Sequence, residues 1–288
     1  MEKKWTAVIK PKKKAFELNL KETFKYRDLI WLFVTRDFKT RYKQTILGPL
    51  WFVIQPLMSS VIHTLVFGTI AGLSVDGVPK FLFYLAGSIT WGLFSGALTA
   101  TSNTFVANAG VFGKVYFPRL TTPIATSITQ MFNFLIQFGI FGICSLVFFF
   151  IPGETFSVTW VAVLTPVLMV QLALLGLGFG IIISSLTTKY RDLQVLVGFG
   201  VQLWMYITPV VYSSNTLLEE GTHAITKLYV GTMLNPVSPI VELFKYGWLG
   251  AGSTPWLFWG ISWVTTIAVL LVGIVIFNKI EKNFMDTV

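Results

Sequence analysis

Six long stretches of this 288-residue chain contain no Lys, Arg, Asp or Glu. They cover residues 44–75, 81–113, 120–153, 155–188, 193–218 and 246–278. Each is longer than the roughly 20 apolar residues that cross a hydrocarbon core as an α-helix. We therefore predict an all-α integral membrane protein with six transmembrane helices, at about 50–72, 81–106, 123–150, 158–186, 194–212 and 256–278.

The basic residues lie on alternate connections between these stretches. Thirteen of the 22 Lys and Arg residues fall in the first 43 positions, and six more lie at 114–119, 189–192 and 279–288. Only Lys80, Lys227 and Lys245 lie elsewhere. Because connections rich in Lys and Arg stay in the cytoplasm, we predict a multi-pass protein with both termini cytoplasmic.

The amino-terminal part divides into two segments before the spans at 47–288 begin. Residues 1–22 are rich in lysine and predict a basic cytoplasmic tail along the membrane surface. Residues 23–46 predict an amphipathic interfacial helix that lies flat, because apolar and charged positions alternate at helical spacing. The apolar positions are Leu29, Ile30, Phe33, Val34, Phe38 and Tyr42, and the charged ones are Lys25, Asp28, Arg36, Lys39 and Lys43.

One outer connection, residues 213–255, is far longer than the others. It is largely apolar but is interrupted at Asn235-Pro236 and at Pro239, and neither half offers 20 uncharged residues. We predict a re-entrant pair of short helices between spans five and six. A pair of amphipathic helices lying on the surface is the alternative.

The composition excludes several classes of function. Hydrophobic residues make up 54% of the chain and charged residues 12%. The net charge of +9 does not indicate nucleic acid, because most basic residues are concentrated where they meet anionic headgroups. His63, His223 and Cys144 are too few and too scattered for a metal site, and no catalytic constellation or phosphate-binding loop is present. We therefore expect a non-enzymatic protein without a cofactor of its own, whose energy comes from a partner.

Aromatic residues on spans one, two and five suggest a pathway for sugars. They are Trp51, Phe52, Tyr84, Trp91, Phe94, Trp204 and Tyr206. Such rings could stack on the apolar faces of sugars, although aromatic residues that face lipid or the interface would give the same pattern. Pairs of small residues at Gly68/Gly72 and Gly92/Gly96 predict close helix approach on the first two spans.

Several sequence blocks occur together in this order along the chain. They are Tyr26-Arg27-Asp28-Leu29, Arg36-Asp37, Arg41-Tyr42-Lys43, Leu47-Gly48, Trp51 with Gln55-Pro56, Lys114-Val-Tyr-Phe-Pro118-Arg119, Tyr190-Arg191-Asp192-Leu193 and Leu234-Asn235-Pro236. Together they resemble the permease subunit of polysaccharide ABC exporters, the ABC-2 type family that moves O-antigens, capsular polysaccharides and teichoic acids. One departure is Lys245, where the family pattern leads us to expect an arginine.

The resemblance implies a complex in the bacterial cytoplasmic membrane. Two copies of the permease would pair with two cytoplasmic ATP-binding-cassette subunits, which bind ATP and Mg, and would export a lipid-linked polysaccharide. It implies an outer gate that includes Asn235, Pro236, Pro239 and Lys245. The residues it implies for coupling to the ATPase are Arg36, Asp37, Arg41, Lys114, Tyr116, Phe117, Pro118, Arg119, Tyr190, Arg191 and Asp192.

Three other hypotheses stay open at this stage. Within the same superfamily, the substrate could be teichoic acid, capsule, or a small drug or lipid. From other classes, a membrane-embedded glycosyl- or acyltransferase would need catalytic groups, and an ion-coupled flippase would need ionisable groups at membrane depth.

Overall fold

The computed structural model describes residues 20–42, 46–73, 75–112, 114–115, 117–187, 192–215 and 223–281. Every regular element in these ranges is a helix, which confirms the all-α prediction. The α-helices are α1 (Leu20–Lys25), α2 (Arg27–Tyr42), α3 (Trp51–His63), α4 (Lys80–Ser102), α5 (Thr104–Phe112), α6 (Thr121–Phe149), α7 (Thr165–Thr187), α8 (Leu193–Ile207), α9 (His223–Leu234), α10 (Ser238–Leu249) and α11 (Trp256–Glu281). A π-helical segment, Thr64–Ile70, continues α3, and the 3-10 segments Gly48–Leu50 and Trp160–Leu164 precede α3 and α7.

Five helical segments are long and apolar enough to cross a membrane. They are Trp51–Ile70, Lys80–Ser102, Thr121–Phe149, Trp160–Thr187 and Trp256–Lys279. They match the first, second, third, fourth and sixth predicted spans. The predicted fifth span at 194–212 is represented by α8, an apolar helix of only 15 residues.

Helix α8 ends early because of a proline. Thr208 leaves the helical conformation, with φ −87° and ψ 141°, directly before Pro209. A residue that precedes proline is disfavoured in the α-region, since the proline ring clashes with its backbone. The chain from Thr208 to Asn215 is therefore non-helical, where the sequence pattern alone predicted a helix to residue 212.

Helices α4 and α7 form the centre of the bundle, and glycines of α7 permit their contact. A Cβ atom at Gly176 would lie 2.8 Å from the carbonyl oxygen of Phe94, and one at Gly180 would lie 2.9 Å from that of Leu98. Gly92 and Gly96, where the sequence also predicted close helix approach, do not contact a helix backbone in this way. They face glutamine side chains of α6. Gly72 lies beyond the π-helical segment with φ +64°.

Helix α2 lies against the outside of the bundle, mainly on α6. Ile30, Phe33 and Val34, three of the six apolar positions named above, are buried there against protein. Trp31 and Leu32 point away and are 60% and 61% exposed. The helix therefore has one apolar side that contacts protein and a second that is available to lipid, instead of a single apolar face.

Helix α5 and a stretch of turns connect α4 to α6. Helix α5 already begins at Thr104, after α4 ends at Ser102, and the basic and aromatic block that follows Phe112 contains turns. Phe117 does not form part of an exposed aromatic face. The centre of its ring lies 5.6 Å from the centres of the Phe33 ring on α2 and the Phe112 ring on α5. Phe117 is therefore shielded from solvent between these two helices.

The glycine contact at the centre of the bundle gives a stability prediction. We expect Gly176→Ala to lower the melting temperature of the purified protein in detergent, because the new Cβ would lie 2.7 Å from that of Ala97. Overpacking of this kind costs about 1–3 kcal/mol. The control is Gly139→Ala on α6, where a Cβ meets nothing within 4 Å. Equal melting temperatures for the two variants would contradict the assigned packing.

Candidate functional site

A groove of about 1130 Å³ runs between α3, α4 and α6. It starts at the end of the bundle that carries α2, α5 and residues 117–120, which we call the α2 end. It reaches His63, whose Nδ1 lies 3.3 Å from the hydroxyl of Ser88. Since Trp51 and His63 both line it and are 12 residues apart on one helix, the groove extends for about 18 Å along α3.

The mouth of the groove carries one ion pair. An Nη2 atom of Arg36 lies 2.8 Å from Oδ1 of Asp37 and donates a hydrogen bond of 3.1 Å to Asn108 on α5. The guanidinium also lies 4.7 Å from the centre of the Phe33 ring. Arg36 therefore connects α2 to α5, and its charge is compensated by the neighbouring carboxylate.

Three amide side chains of α6 form one wall of the groove, and we call Gln130, Asn133 and Gln137 the amide row. Asn133 donates through Nδ2 to Oε1 of Gln130 at 2.9 Å, while its own Oδ1 has no partner among the described residues. Gly96 and Gly92 lie opposite. A Cβ at Gly96 would lie 2.9 Å from the Gln130 amide oxygen, and one at Gly92 would lie 3.7 Å from that of Gln137. These glycines therefore leave room for the amides.

The structure divides the seven predicted pathway aromatics into two groups. Trp51, Phe52 and Trp91 line the groove. Tyr84 and Phe94 are fully buried in the bundle core, where ring packing excludes them from the groove. Trp204 forms a hydrogen bond described below, and Tyr206 is 53% exposed on α8.

The amide row was not singled out by the sequence analysis. Its signal was present, because polar side chains at positions 130, 133 and 137 of an otherwise apolar helix fall on one helical face. The aromatic residues were singled out in preference, and four of the seven do not line the groove.

The described members of the predicted coupling set lie at the α2 end. Lys114 is exposed, Phe117 is buried, and the Arg119 guanidinium lies 5.9 Å from the centre of the Phe112 ring. Asp192, directly before α8, is exposed. The first turn of α8 contacts the α2 end through a 2.7 Å hydrogen bond from the Gln194 amide to Asn103, which follows α4. The side chains of Arg41 and Tyr116, and residues Tyr190 and Arg191, lie outside the described residues.

The opposite end of the bundle, which we call the far end, is formed by residues 75–79, 150–159, 208–215 and 250–255. Lys245 of α10 is completely buried there. Its Nζ donates to the carbonyl oxygens of Pro209 at 2.5 Å and Val210 at 3.3 Å. It also lies 3.7 Å from the centre of the Phe83 ring on α4. One ammonium group therefore joins α10, α4 and the non-helical segment after α8.

Two carboxylates near Lys245 complete this network, and the sequence analysis did not assign them to the site. Glu242 is fully buried and accepts hydrogen bonds from the Ser214 hydroxyl and from the Ser253 amide at 2.9 Å. Asp76 accepts from the Ser213 hydroxyl at 2.6 Å and from the Gly252 amide at 2.7 Å. Glu242 and Lys245 thus fasten the loops at 208–215 and 250–255 to α10, and the half-buried Asp76 joins the loop at 75–79 to both.

Burial changes the pKa of both charged residues of α10. Loss of solvation raises the pKa of Glu242 above its ordinary value, and lowers that of Lys245 to about 8. The charged neighbour opposes the shift in each case.

Asn235 fixes the corner between α9 and α10. Its Oδ1 accepts from the Trp204 indole at 3.0 Å, and its Nδ2 donates to the Thr208 hydroxyl at 2.8 Å. The carbonyl of Pro236 accepts from Ser262 of α11 at 2.5 Å. Pro239 is buried in the first turn of α10, where its missing N–H costs no helical hydrogen bond. The four predicted gate residues therefore occupy one connected region at the far end.

Metal-ligating residues do not cluster in the part of the chain that the structure describes, where no three His, Cys, Asp or Glu side chains could hold an ion. Apart from the Arg36–Asp37 pair and His63, the polar side chains that line the groove among the described residues carry mainly amides and hydroxyls. Such an arrangement can bind a hydroxyl-rich molecule by hydrogen bonds and ring contacts.

Comparison with known proteins gives consistent relatives. The chain is 29% identical over 263 residues to the O-antigen export system permease protein RfbA of Klebsiella pneumoniae, covering 90% of this chain and 94% of that protein. It is 26% identical to the Myxococcus xanthus protein of the same name, over 78% of this chain and 82% of the relative. It is 24% identical to the polysialic acid transport protein KpsM of Escherichia coli, over 88% and 93% of the two chains.

The family model described as ABC-2 type transporter matches residues 28–249, which include the groove, the α2 end and most of the far end. The chain therefore belongs to the ABC-2 type transporter family.

Proposed function

We propose that this protein is the membrane subunit of an ATP-driven ABC exporter that moves a lipid-linked polysaccharide across the bacterial cytoplasmic membrane. The favoured substrate is an O-antigen. The observation that carries the proposal is the groove of about 1130 Å³, lined by amides, hydroxyls and tryptophans, in a chain of this family. Two relatives bear the name O-antigen export system permease, which favours this substrate over a small drug or lipid.

In the proposed topology the α2 end is cytoplasmic and α8 is a sixth span. Its 15 residues reach about 22 Å, and the extended segment from Thr208 would supply the rest. Helices α9 and α10, at 12 residues or about 18 Å each, are too short to span and would form the re-entrant pair. Almost all of α10 is buried, which meets the requirement that a re-entrant segment be covered by protein. Helix α2 would lie in the cytoplasmic interface, with Trp31 towards lipid.

A second copy of the chain completes the proposed channel. Helix α8 has no buried residue in the single chain and exposes an apolar row that includes Leu196, Phe199 and Leu203. Pairing of two copies along this row would cover it, and the two grooves would then contribute to one pathway. Two cytoplasmic ATP-binding-cassette subunits would dock at the α2 end and bind ATP and Mg.

Reconstitution tests the proposal. The permease and its cognate ATP-binding subunits, in proteoliposomes with a polyprenyl-linked glycan, should move glycan across the bilayer only when ATP is hydrolysed. The permease alone should move none. Transport by the permease alone, or transport driven by an ion gradient without ATP hydrolysis, would contradict the proposal.

The same assay tests the groove with a matched pair of tryptophan variants. Trp51→Ala removes a ring that lines the groove and should slow glycan transport by about tenfold, the effect of roughly 1.4 kcal/mol of lost contact. Trp160→Ala removes a ring that is 69% exposed and does not line the groove, and should leave the rate unchanged. A similar rate for both variants would remove the groove from the pathway.

Arg119 provides a test of coupling at the α2 end. We expect Arg119→Ala to leave assembly with the ATPase and ATP hydrolysis intact while the amount of glycan moved per ATP falls by about 5- to 150-fold, the range of typical coupling free energies. The physical reason is loss of a cation held against Phe112 beside the proposed docking surface. Arg27→Ala, at an arginine whose side chain is 83% exposed, is the control. An unchanged ratio in Arg119→Ala would exclude Arg119 from the coupling surface.

Lys245 provides a test of the proposed outer gate. Lys245→Met keeps the aliphatic stem but leaves the Pro209 and Val210 carbonyls without their ammonium donor, so amide hydrogen exchange in residues 208–215 should increase. Lys245→Arg should restore much of the protection, because the guanidinium also donates to carbonyls. Lys279→Met, at an exposed residue, is the control. Unchanged exchange in Lys245→Met would show that another contact closes the far end.

A further inference from the structure

We propose that the glycan chain moved through the groove is electrically neutral, and that the amide row recognises its hydroxyl groups. The inference rests on the proposed function and narrows its substrate class. It distinguishes a neutral polysaccharide from a polyanion such as polysialic acid, which carries a carboxylate on every sugar.

The position of the amide row fits a repeating, uncharged ligand. Gln130 and Gln137 are seven residues apart on α6, so the row extends for about 10 Å along the groove. Each amide presents a donor and an acceptor, and a sugar hydroxyl is likewise both. The glycines at 92 and 96 on the facing helix leave room for the Gln130 and Gln137 amides.

Asn133 and Gln130 are joined by one hydrogen bond, but part of the hydrogen-bonding capacity of the row is not used by the described residues. Asn133 Oδ1 is buried without a partner, and the side chain of Gln137 has none among the described residues. Leaving a buried polar atom unpaired costs about 1–3 kcal/mol. The half-buried Gln137 amide faces the groove, where a glycan hydroxyl could both donate to its oxygen and accept from its N–H groups, whereas a carboxylate could pair only with the N–H groups.

The charges along the groove oppose a polyanion. At the mouth, the Arg36 guanidinium is paired with the Asp37 carboxylate at 2.8 Å. Beyond the mouth, the groove-lining residues that the structure describes are uncharged apart from the titratable His63. Beyond the mouth, an anionic chain would bring one charge per sugar into a groove whose described lining offers hydrogen bonds but no Lys or Arg to compensate them, at a cost that rises with each buried charge.

A comparison of two substrates with the wild-type complex tests the inference. Proteoliposomes that contain the permease and its ATP-binding subunits receive either a neutral polygalactose or a polysialic acid of equal length, each on the same polyprenyl pyrophosphate anchor. Because the anchor charge is identical, the rate difference reports on the glycan. We expect ATP-driven transport of the neutral chain to be at least about tenfold faster, which corresponds to roughly 1.4 kcal/mol.

Variants of Gln137 assign the selectivity to the amide row. Gln137→Leu should reduce neutral transport several-fold, while Gln137→Lys should raise transport of polysialic acid relative to the neutral chain. Ser145→Ala, on the same helix but outside the groove, should change neither rate. If a variant does not assemble, the wild-type comparison still decides the matter, since it requires no substitution.

The outcomes separate this inference from the proposed function. Equal transport of both glycans, or faster transport of polysialic acid, would overturn the neutral substrate and leave the exporter intact. Unchanged rates in both Gln137 variants would overturn the role of the amide row. Absence of ATP-driven transport for either glycan would overturn the exporter itself, and the inference with it.

Discussion

The structure depends on how polar groups are satisfied inside an apolar bundle. After α8 the chain leaves the helical conformation at Thr208, so backbone carbonyls that a helix would have paired need other donors. Lys245 supplies them from α10, and its charge is stabilised further by the Phe83 ring. The outer connection can therefore be buried against α4, and this closes the end of the bundle that the groove does not reach.

The same constraint separates structural amides from those available to a ligand. Gln171 on α7 is fully buried, donates to Ser262 at 2.9 Å and accepts from Trp259 at 2.8 Å, so its amide is satisfied at both ends. The amide row on α6 is polar to a similar degree but retains unpaired atoms. Packing within the bundle explains the Gln171 amide completely. Packing does not explain why Asn133 Oδ1 and the Gln137 amide have no hydrogen-bond partner among the described residues, and a hydroxyl-rich substrate in the groove would account for the Gln137 amide.

Five of the six spans could be predicted from uncharged length alone, because only helices of that length satisfy their backbone in lipid. Uncharged length does not show which residues of a span line the groove and which are buried in the core. Trp91, which lines the groove, and Phe94, which is buried in the core, are large aromatic residues only three positions apart on α4, so residue type does not distinguish them. For similar reasons Gly92 and Gly176 look alike in sequence, although one faces a side chain and the other a helix backbone. The pairing of Asp76 with residues 213 and 252 depends on tertiary contacts that sequence spacing does not encode.

Helix α4 is the element that connects the two ends of the molecule. At the far end Phe83 lies under Lys245, and Gly87 permits the Val210 carbonyl to approach so closely that a Cβ would lie 2.6 Å from it. At the α2 end, Asn103 directly after α4 accepts a hydrogen bond from Gln194. Between these ends the same helix forms one wall of the groove. Because α4 is continuous between these contacts, a rigid displacement of the helix at the α2 end would also move Phe83 relative to the buried ammonium.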